Sequence, residues 1–230
     1  MQQTKTNFTF PQFIPFFTGG AWGYILVFLL FTFNISTAQS NANAEQIIGS
    51  ILSDVKVNAI KTNFKLAISD KSNPQGQVSN GTFTLKGNKF VLEMDEMKVY
   101  FDGKTQWSYI AQNNEVSITE PSEKELSETN PMAILSGFKT KSNIRFSSKN
   151  KSVQNYSIEM IPKNKQQDIS KIEVIVNKNT KSLISIKLIN KNGSATQLSL
   201  SNYQKGVKVA DNSFVFVASK FKDVLINDLR

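Results

Sequence analysis

The sequence predicts a mainly β protein built as an antiparallel meander. Between Gly81 and Pro121, apolar and polar residues alternate with the period of two that marks strands with one apolar face. The breaks between these strands carry Gly-Asn, Asp-Gly and Asn-Asn pairs, at residues 87–88, 102–103 and 113–114. Such pairs tolerate positive φ and favour tight hairpins. Alternation resumes near Ile144, with turns at the regular spacing of an all-β meander barrel.

Residues 1–38 are predicted to be a signal peptide, which excludes them from the fold. Their apolar run, from Ala21 to Phe33, is shorter than the roughly 20 residues that span a bilayer. Small residues at 36–38 precede Gln39, so cleavage is expected after Ala38. The alternative is an uncleaved signal anchor. Cleavage predicts a periplasmic protein whose mature chain, residues 39–230, forms a single domain.

The composition excludes several kinds of site. The chain has no Cys and no His, so it has no disulfide framework, conventional zinc site, Ser-His dyad or thiol nucleophile. Glu93, Asp95 and Glu96 alternate with apolar neighbours or end a strand, which does not indicate a paired-carboxylate active site. We therefore expect neither an enzyme nor a metal or cofactor site.

The net charge of +9 leaves two interpretations open. A basic balance suits an anionic partner such as a membrane surface or a nucleic acid. The alternative is that lysines solvate the outer faces of the strands. Because the lysines are scattered and the chain carries an export signal, nucleic acid is not an expected partner.

Helical periodicity is predicted in two places. Apolar residues at 47, 48, 51, 52 and 55 predict an amphipathic helix from Ala44 to Val57, capped by Asn41 or Asn43. Residues 122–138 interrupt the strand pattern with a capping box, Ser122 to Glu125, and a helix that Asn130 and Pro131 open. That helix is expected to end near Gly137 and to bury one apolar face on the sheet. The residues of this face are Met132, Ile134, Leu135 and Phe138.

Strands account for most of the remaining chain. The first is expected at Lys61–Ser69, followed by a turn at 70–76. Later strands are expected at 144–146, 153–160, 172–176, 183–189, 198–203 and 214–216.

A stripe of large apolar residues runs through the central meander. Its members are Phe83, Leu85, Phe90, Leu92, Met94, Phe101, Trp107 and Tyr109. The stripe is either ordinary core or, in part, the wall of a cavity for an apolar ligand, since such walls need smooth apolar surfaces without unpaired polar groups.

The same meander resembles the outer-membrane lipoprotein carrier (LolA-like) family. The resemblance rests on Asp-Gly-Lys-Thr-x-Trp-x-Tyr at 102–109, on the preceding Phe-x-Leu-Glu-Met at 90–94, and on the Asn-Pro helix start that follows. It implies a strongly curved, half-open antiparallel sheet, an incomplete β-barrel, with short α-helices forming a lid over its concave apolar face. It also implies that the stripe lines an acyl-chain cavity and that the helix from Pro131 is the lid.

The resemblance further implies a function and partners. A carrier of this kind takes acylated lipoproteins from an inner-membrane ABC release complex, shields their acyl chains and delivers them to an outer-membrane acceptor. It works as a monomer without a cofactor. Family members tend to have an Arg that ties the lid to the sheet. The matching position here is Lys86, which lacks the planar fork of Arg and is either a weaker latch or a solvated surface residue.

Two other functions remain open at this point. The same sheet suits a carrier for another lipid or acylated metabolite. It also suits a lipid-sensing regulatory protein, which usually has an added C-terminal domain, and the end of the sequence at Arg230 favours the carrier.

Overall fold

The computed structural model of the protein describes residues 35–74, 76–123, 125–126, 130–149 and 152–230. Residues 1–34, most of the predicted signal peptide, lie outside the described residues. The chain from Thr37 to Arg230 folds as one compact unit. Within the described residues, none of the helices has the length and apolar character needed to cross a membrane.

Twelve strands form a single sheet in the part of the chain that the structure describes. Its order is β12-β6-β5-β4-β3-β2-β1-β11-β10-β9-β8-β7, and the sheet does not close, so β12 and β7 are its edges. The strands are β1 (Ile60–Ser69), β2 (Gln77–Lys86), β3 (Lys89–Glu93), β4 (Met97–Phe101), β5 (Gln106–Ile110), β6 (Glu115–Thr119), β7 (Ser142–Phe146), β8 (Asn155–Pro162), β9 (Ile169–Asn177), β10 (Leu183–Asn190), β11 (Ala195–Lys205) and β12 (Leu225–Asp228).

Two antiparallel meanders make up this sheet. The first runs from β1 to β6 and the second from β7 to β11, and the pairing of β1 with β11 joins them. Helix α1 (Ile35–Val57) precedes the first meander, and helix α2 (Pro131–Lys139) connects the two. The prediction of a mainly β, open and curved sheet with short helices on its apolar face is confirmed.

Helix α1 buries the face that its periodicity predicts. Ala44, Ile48, Ile51 and Val55 are almost fully buried and belong to the same core cluster as the inward residues of the strands. The helix begins at Ile35, so the predicted caps at Asn41 and Asn43 are wrong. No Gly or Pro interrupts residues 35–43, and Ala and Gln in this stretch are good helix formers, so the helix continues towards the N-terminus past both asparagines.

The predicted start of α2 is confirmed. Asn130 precedes the helix in an extended conformation, and its side-chain oxygen accepts a hydrogen bond of 2.9 Å from the Met132 backbone N–H. The capping box also forms, since the Ser122 backbone N–H donates to Glu125 Oε2 at 2.8 Å. The helix passes Gly137 and ends at Lys139, so the predicted end was two residues too early.

The C-terminal part of the chain differs from the prediction. Residues 214–216 do not form a strand, because Asp211–Phe214 is a 3₁₀ turn in which Phe214 is fully buried. Asp, Asn and Ser favour turns, and here the Ser213 backbone N–H donates to the Ala210 carbonyl at 3.0 Å. The last strand, β12, was not predicted, and it pairs in parallel with β6. Val153, expected in a strand, precedes β8 and is 92% exposed.

Gly81 of β2 lies where β1 and β3 both approach closely. It lies opposite Phe64 of β1, and the β2–β3 ladder begins at the next residue, Thr82. A Cβ at Gly81 would lie 2.1 Å from the Glu93 carbonyl oxygen and 2.7 Å from Phe64 Cε1. Only a residue without a side chain fits this position, which is typical of a strand site that another backbone approaches closely.

We predict that Gly81→Ala lowers the free energy of unfolding by about 1–3 kcal/mol, because the added methyl group displaces the β3 backbone. Urea denaturation of the mature chain measures this change. Gly137→Ala is the control, since a Cβ there meets no atom within 4 Å and lies in a helix. That variant should be more stable by roughly 0.5–1 kcal/mol. Equal stability of the two variants would contradict this account of Gly81.

Candidate functional site

An apolar cavity of about 750 Å³ lies between the sheet and α2. We call it the inner cavity. Strands of both meanders and one face of α2 form its wall. The lining residues are Phe64, Leu66, Ile68, Phe83, Leu92, Met94, Met97, Pro131, Ile134, Phe138, Gln167, Asp168, Ile169, Ile186, Leu188, Thr196, Leu198 and Leu200.

The period of two in each strand creates this wall. Phe64, Leu66 and Ile68 are alternate residues of β1, and directly opposite them on β11 lie Leu200, Leu198 and Thr196. On β10, Ile186 and Leu188 continue the same rows. Because side chains of paired residues project to the same face, these rows form one continuous apolar surface.

Helix α2 divides its apolar residues between the cavity and the core. Pro131, Ile134 and Phe138 line the cavity at a spacing of three and four residues, which places them on one helix face. Met132 and the fully buried Leu135 belong to the core cluster and do not line the cavity, whereas Ile134 belongs to both. Of the four lid residues predicted from the sequence, Ile134 and Phe138 therefore face the cavity.

The predicted stripe also divides. Phe83, Leu92 and Met94 line the inner cavity. Leu85, Phe90 and Phe101 are buried in the core cluster that includes Ile48 and Val55 of α1. The ring centroid of Phe90 lies 5.6 Å from that of Phe83 and 5.3 Å from that of Phe101, so these three rings pack as one group. Phe83 belongs to both sets, so the core cluster and the cavity wall adjoin on the concave face.

The placement of Trp107 and Tyr109 on this stripe is wrong. In the β4–β5 register, Phe101 lies opposite Gln106, and Tyr100 lies opposite Trp107. The inward residues of β5 are therefore Gln106 and Ser108, whereas Trp107 and Tyr109 project from the outer face. Alternation within a strand does not define its phase relative to the preceding strand, and a shift of one residue moves every side chain to the other face.

Tyr109 and its neighbours pack against the C-terminal segment that contains Phe216 and Phe221, and they hold it on the outer face. The Tyr109 ring centroid lies 5.8 Å from that of Phe216 and 4.5 Å from that of Phe221. Phe216 also contacts Tyr100 edge to face at 5.9 Å. The Asn114 side chain donates to the carbonyl oxygens of Lys222 and Asp223. These aromatic residues form a second, smaller core and do not contribute to the cavity.

Lys86 also belongs to the outer face, so the structure contradicts its role as a lid latch. Its neighbour Leu85 is buried on the inner face, and Lys86 Nζ lies 2.8 Å from Asp211 Oδ1. Lys89 Nζ lies 3.3 Å from the other oxygen of the same carboxylate. Hydrogen bonds from Lys86 and Lys89 lower the pKa of Asp211. Asp211 is exposed and both lysines are only partly buried, so the contribution of these two pairs to stability is small.

One end of the inner cavity is polar and open. Gln167, Asp168 and Thr196 lie at this end, and Ile68 beside them is 51% exposed although it lines the cavity. Asp168 is the charged member of the lining set. Sites that bind drug-sized ligands have this composition, mostly apolar with a few polar groups. The arrangement suits a molecule with an apolar chain and a polar head.

Sequence reasoning missed the half of the wall that comes from the second meander and from β1. The strands themselves were predicted, and their inward residues were visible as alternating apolar positions. Their pairing was not visible, because β1 and β11 are separated by most of the chain. A search for alternating rows without polar inward residues would have identified Leu198 and Leu200 as further candidates.

Comparison with known proteins supports the fold. The model of a family described as outer membrane lipoprotein carrier protein LolA matches residues 35–194, more than two thirds of the chain. None of the curated proteins compared with the chain matches it.

Three solved structures align with most of this chain at low sequence identity. An uncharacterised conserved protein from Thermus thermophilus is 8% identical over 81% of this chain and 99% of its own, with a TM-score of 0.54. A DUF1329 family protein from Desulfovibrio piger is 13% identical over 80% and 99% of the two chains, with a TM-score of 0.46. A LolA superfamily protein from Nitrosomonas europaea is 11% identical over 75% and 97%, with a TM-score of 0.37. At 8% identity, the likeness to the Thermus protein is one of fold alone.

We predict that Leu92→Asp weakens the binding of a fluorescent fatty acid at least tenfold, because a carboxylate on the apolar wall loses its hydration when the chain enters. Trp107→Asp is the matched control. Both residues are half-buried members of the predicted stripe, and only Leu92 lines the cavity. Titration of the labelled fatty acid, with thermal unfolding to verify folding, tests the pair. Equal losses of affinity would show that the ligand binds elsewhere.

Proposed function

The chain belongs to the outer membrane lipoprotein carrier protein LolA family, and on that premise we propose that it carries acylated lipoproteins from the inner to the outer membrane. The observation that supports this proposal is the inner cavity, an apolar space of about 750 Å³ beneath a nine-residue helix. Its volume lies within the range of about 300–1,000 Å³ found for small-molecule sites.

The chemistry of the wall suits acyl chains. Each methylene group moved from water into such a wall contributes about 0.8 kcal/mol, so a long chain gains several kcal/mol without any specific contact. This gain depends on apolar area and not on head-group identity. A carrier of this type accepts different lipoproteins because it binds the part that they share.

Helix α2 is the movable part in this mechanism. It is short, and its cavity-facing residues Pro131, Ile134 and Phe138 cover apolar wall that an acyl chain would otherwise contact. Ligand and helix therefore compete for the same surface, and binding shifts the population towards states in which α2 is displaced. Loading and release then follow from the relative affinities of donor, carrier and acceptor, without catalysis.

The proposed route places the carrier in the periplasm after removal of residues 1–38. An inner-membrane ABC release complex supplies the lipoprotein, and an outer-membrane acceptor receives it. In this proposal the protein acts as a monomer. It needs no cofactor and no enzymatic step, because transfer between apolar sites breaks no covalent bond.

We predict that the protein purified from periplasm retains acylated peptides that mass spectrometry identifies after organic extraction. Leu92→Asp, purified in parallel, should lose them. Recovery of another lipid in place of acylated peptides would assign a different cargo to the same cavity. If neither peptides nor lipids are retained by the wild-type protein and none bind on addition, the carrier function is wrong.

We predict that the backbone amides of α2 exchange hydrogen faster than those of β1, β10 and β11 in the free protein. The helix has nine residues and is covered on one side only, so it opens locally without global unfolding. A saturating long-chain acyl ligand should change exchange in α2 and leave unaffected β5 and β6, which contribute no residue to the cavity wall. Hydrogen exchange with mass spectrometry measures both. Unchanged exchange in α2 on saturation would contradict displacement of the helix.

A further inference from the structure

Four connections between elements meet around the open, polar end of the inner cavity. In the order in which their strands lie in the sheet, they are the β1–β2 turn (70–74 and 76), the β10–β11 turn (191–194), the β8–β9 loop (163–168) and the α2–β7 connection (140–141). We call this surface the basic rim. The cavity residues at the polar end lie on it or within two residues of it, namely Ile68, Gln167, Asp168 and Thr196.

Contacts join neighbouring connections of the basic rim. The Lys71 side chain packs against the β10–β11 turn, since a Cβ on Gly193 would lie 2.9 Å from Lys71 Cε. The Lys191 backbone N–H donates to the Asp168 carbonyl at 2.9 Å, and Lys191 Nζ donates to the Lys165 carbonyl. The β7–β8 pairing places the α2–β7 connection beside the β8–β9 loop. The four connections therefore form one continuous surface.

Lysines outnumber acidic residues on the basic rim by five to two. The lysines are Lys71, Lys141, Lys163, Lys165 and Lys191, and the acidic residues are Asp70 and Asp168. All seven residues are exposed. Across the described residues, the ion pairs involve other lysines, both arginines and other acidic residues. The five lysines of the basic rim therefore present their charge to the solvent.

The opposite side of the polar end is acidic. Asp95 and Glu96 connect β3 to β4, between Met94 and Met97 of the cavity wall. Three strand spacings separate β3 from β11, about 14 Å along the sheet, which exceeds the Debye length of about 8 Å at physiological ionic strength. The two sides therefore interact separately with a charged partner, and such a partner approaches the cavity from a preferred side.

We propose that the basic rim docks on the anionic surface of a lipid bilayer and brings the open end of the inner cavity to the lipid. This inference rests on the proposed function and deepens it by naming the surface at which cargo enters or leaves. A bilayer matches both parts of this site, because its anionic head groups attract lysines and its acyl chains continue the apolar path into the cavity. Ile68, which is 51% exposed, lies at that junction. An acidic protein would match the lysines alone.

Sedimentation with lipid vesicles tests the docking of the compact unit, residues 37–230. We expect vesicles of equal parts phosphatidylcholine and phosphatidylglycerol to bind the protein at least tenfold more tightly than vesicles of phosphatidylcholine alone. High salt should remove this difference, because ions screen the attraction between exposed charges. Equal binding to the two kinds of vesicle would overturn the inference.

Two triple variants with equal charge test the location. The rim variant consists of Lys71→Gln, Lys141→Gln and Lys165→Gln. Its matched control consists of Lys65→Gln, Lys149→Gln and Lys208→Gln, all exposed and outside the basic rim. Because each lysine close to an anionic surface strengthens binding about fivefold, the rim variant should bind the anionic vesicles at least tenfold more weakly. The control should lose less than threefold, since its lysines lie away from the docked surface.

A fluorescent label tests the orientation. The chain has no Cys, so one introduced cysteine carries one label. Gln166→Cys places an environment-sensitive fluorophore on the basic rim, at an exposed residue outside the cavity wall. Val153→Cys places it before β8, at the opposite end of that strand, where Val153 is 92% exposed. Anionic vesicles should shift the emission to the blue at Gln166→Cys and leave it unchanged at Val153→Cys.

The remaining outcomes separate this inference from the proposed function. Equal losses in the two triple variants would overturn the inference, because net charge and not the basic rim would then drive binding. Binding to poly-glutamate but not to the vesicles would overturn it in favour of an acidic protein partner. Both results leave the carrier function intact if the wild-type protein still binds the fluorescent fatty acid. Docking on vesicles without fatty-acid binding would support the membrane contact and overturn the carrier function.

Discussion

The pairing of β1 with β11 is the contact on which the rest of the structure depends. It joins two meanders that otherwise share no strand pairing among the described residues, and it places the apolar rows of β1 and β11 side by side. The Thr62 hydroxyl donates to the Ser201 carbonyl at 2.8 Å, a contact between residues 139 positions apart. A register shift next to Thr62 increases the local twist. Without this pairing, the inner cavity would lack one of its walls.

Two covers with different roles lie on the two faces of the sheet. On the outer face, rings of the C-terminal segment pack on Tyr100 and Tyr109, and β12 extends the sheet beyond β6. On the inner face, α1 fills one part with close-packed apolar residues, and α2 covers the other part incompletely. This division places the empty volume beneath the nine-residue helix α2, which is the arrangement that the proposed displacement of α2 requires.

The polar end of the cavity gives this arrangement a direction. Apolar rows from both meanders lead to Gln167, Asp168 and Thr196, where the wall meets solvent. An apolar chain buries the most surface when it lies along these rows of apolar residues, and its head group then lies at the polar end. Burial of apolar area supplies the affinity for such a chain whatever its head group is.

Local patterns were enough to predict most strands, the Asn130 cap and the apolar face of α2, because these features depend on neighbours within a few residues. The same patterns implied an apolar stripe, and the members on β2 and β3 do lie on the concave face. Trp107 and Tyr109 do not, since the turn before β5 determines which of its alternating sets faces inwards. Tertiary structure alone determined the β1–β11 pairing, the parallel β12 and the position of Gln167. Each of these depends on contacts between distant parts of the chain, and a period of two carries no information about which strand lies next to which.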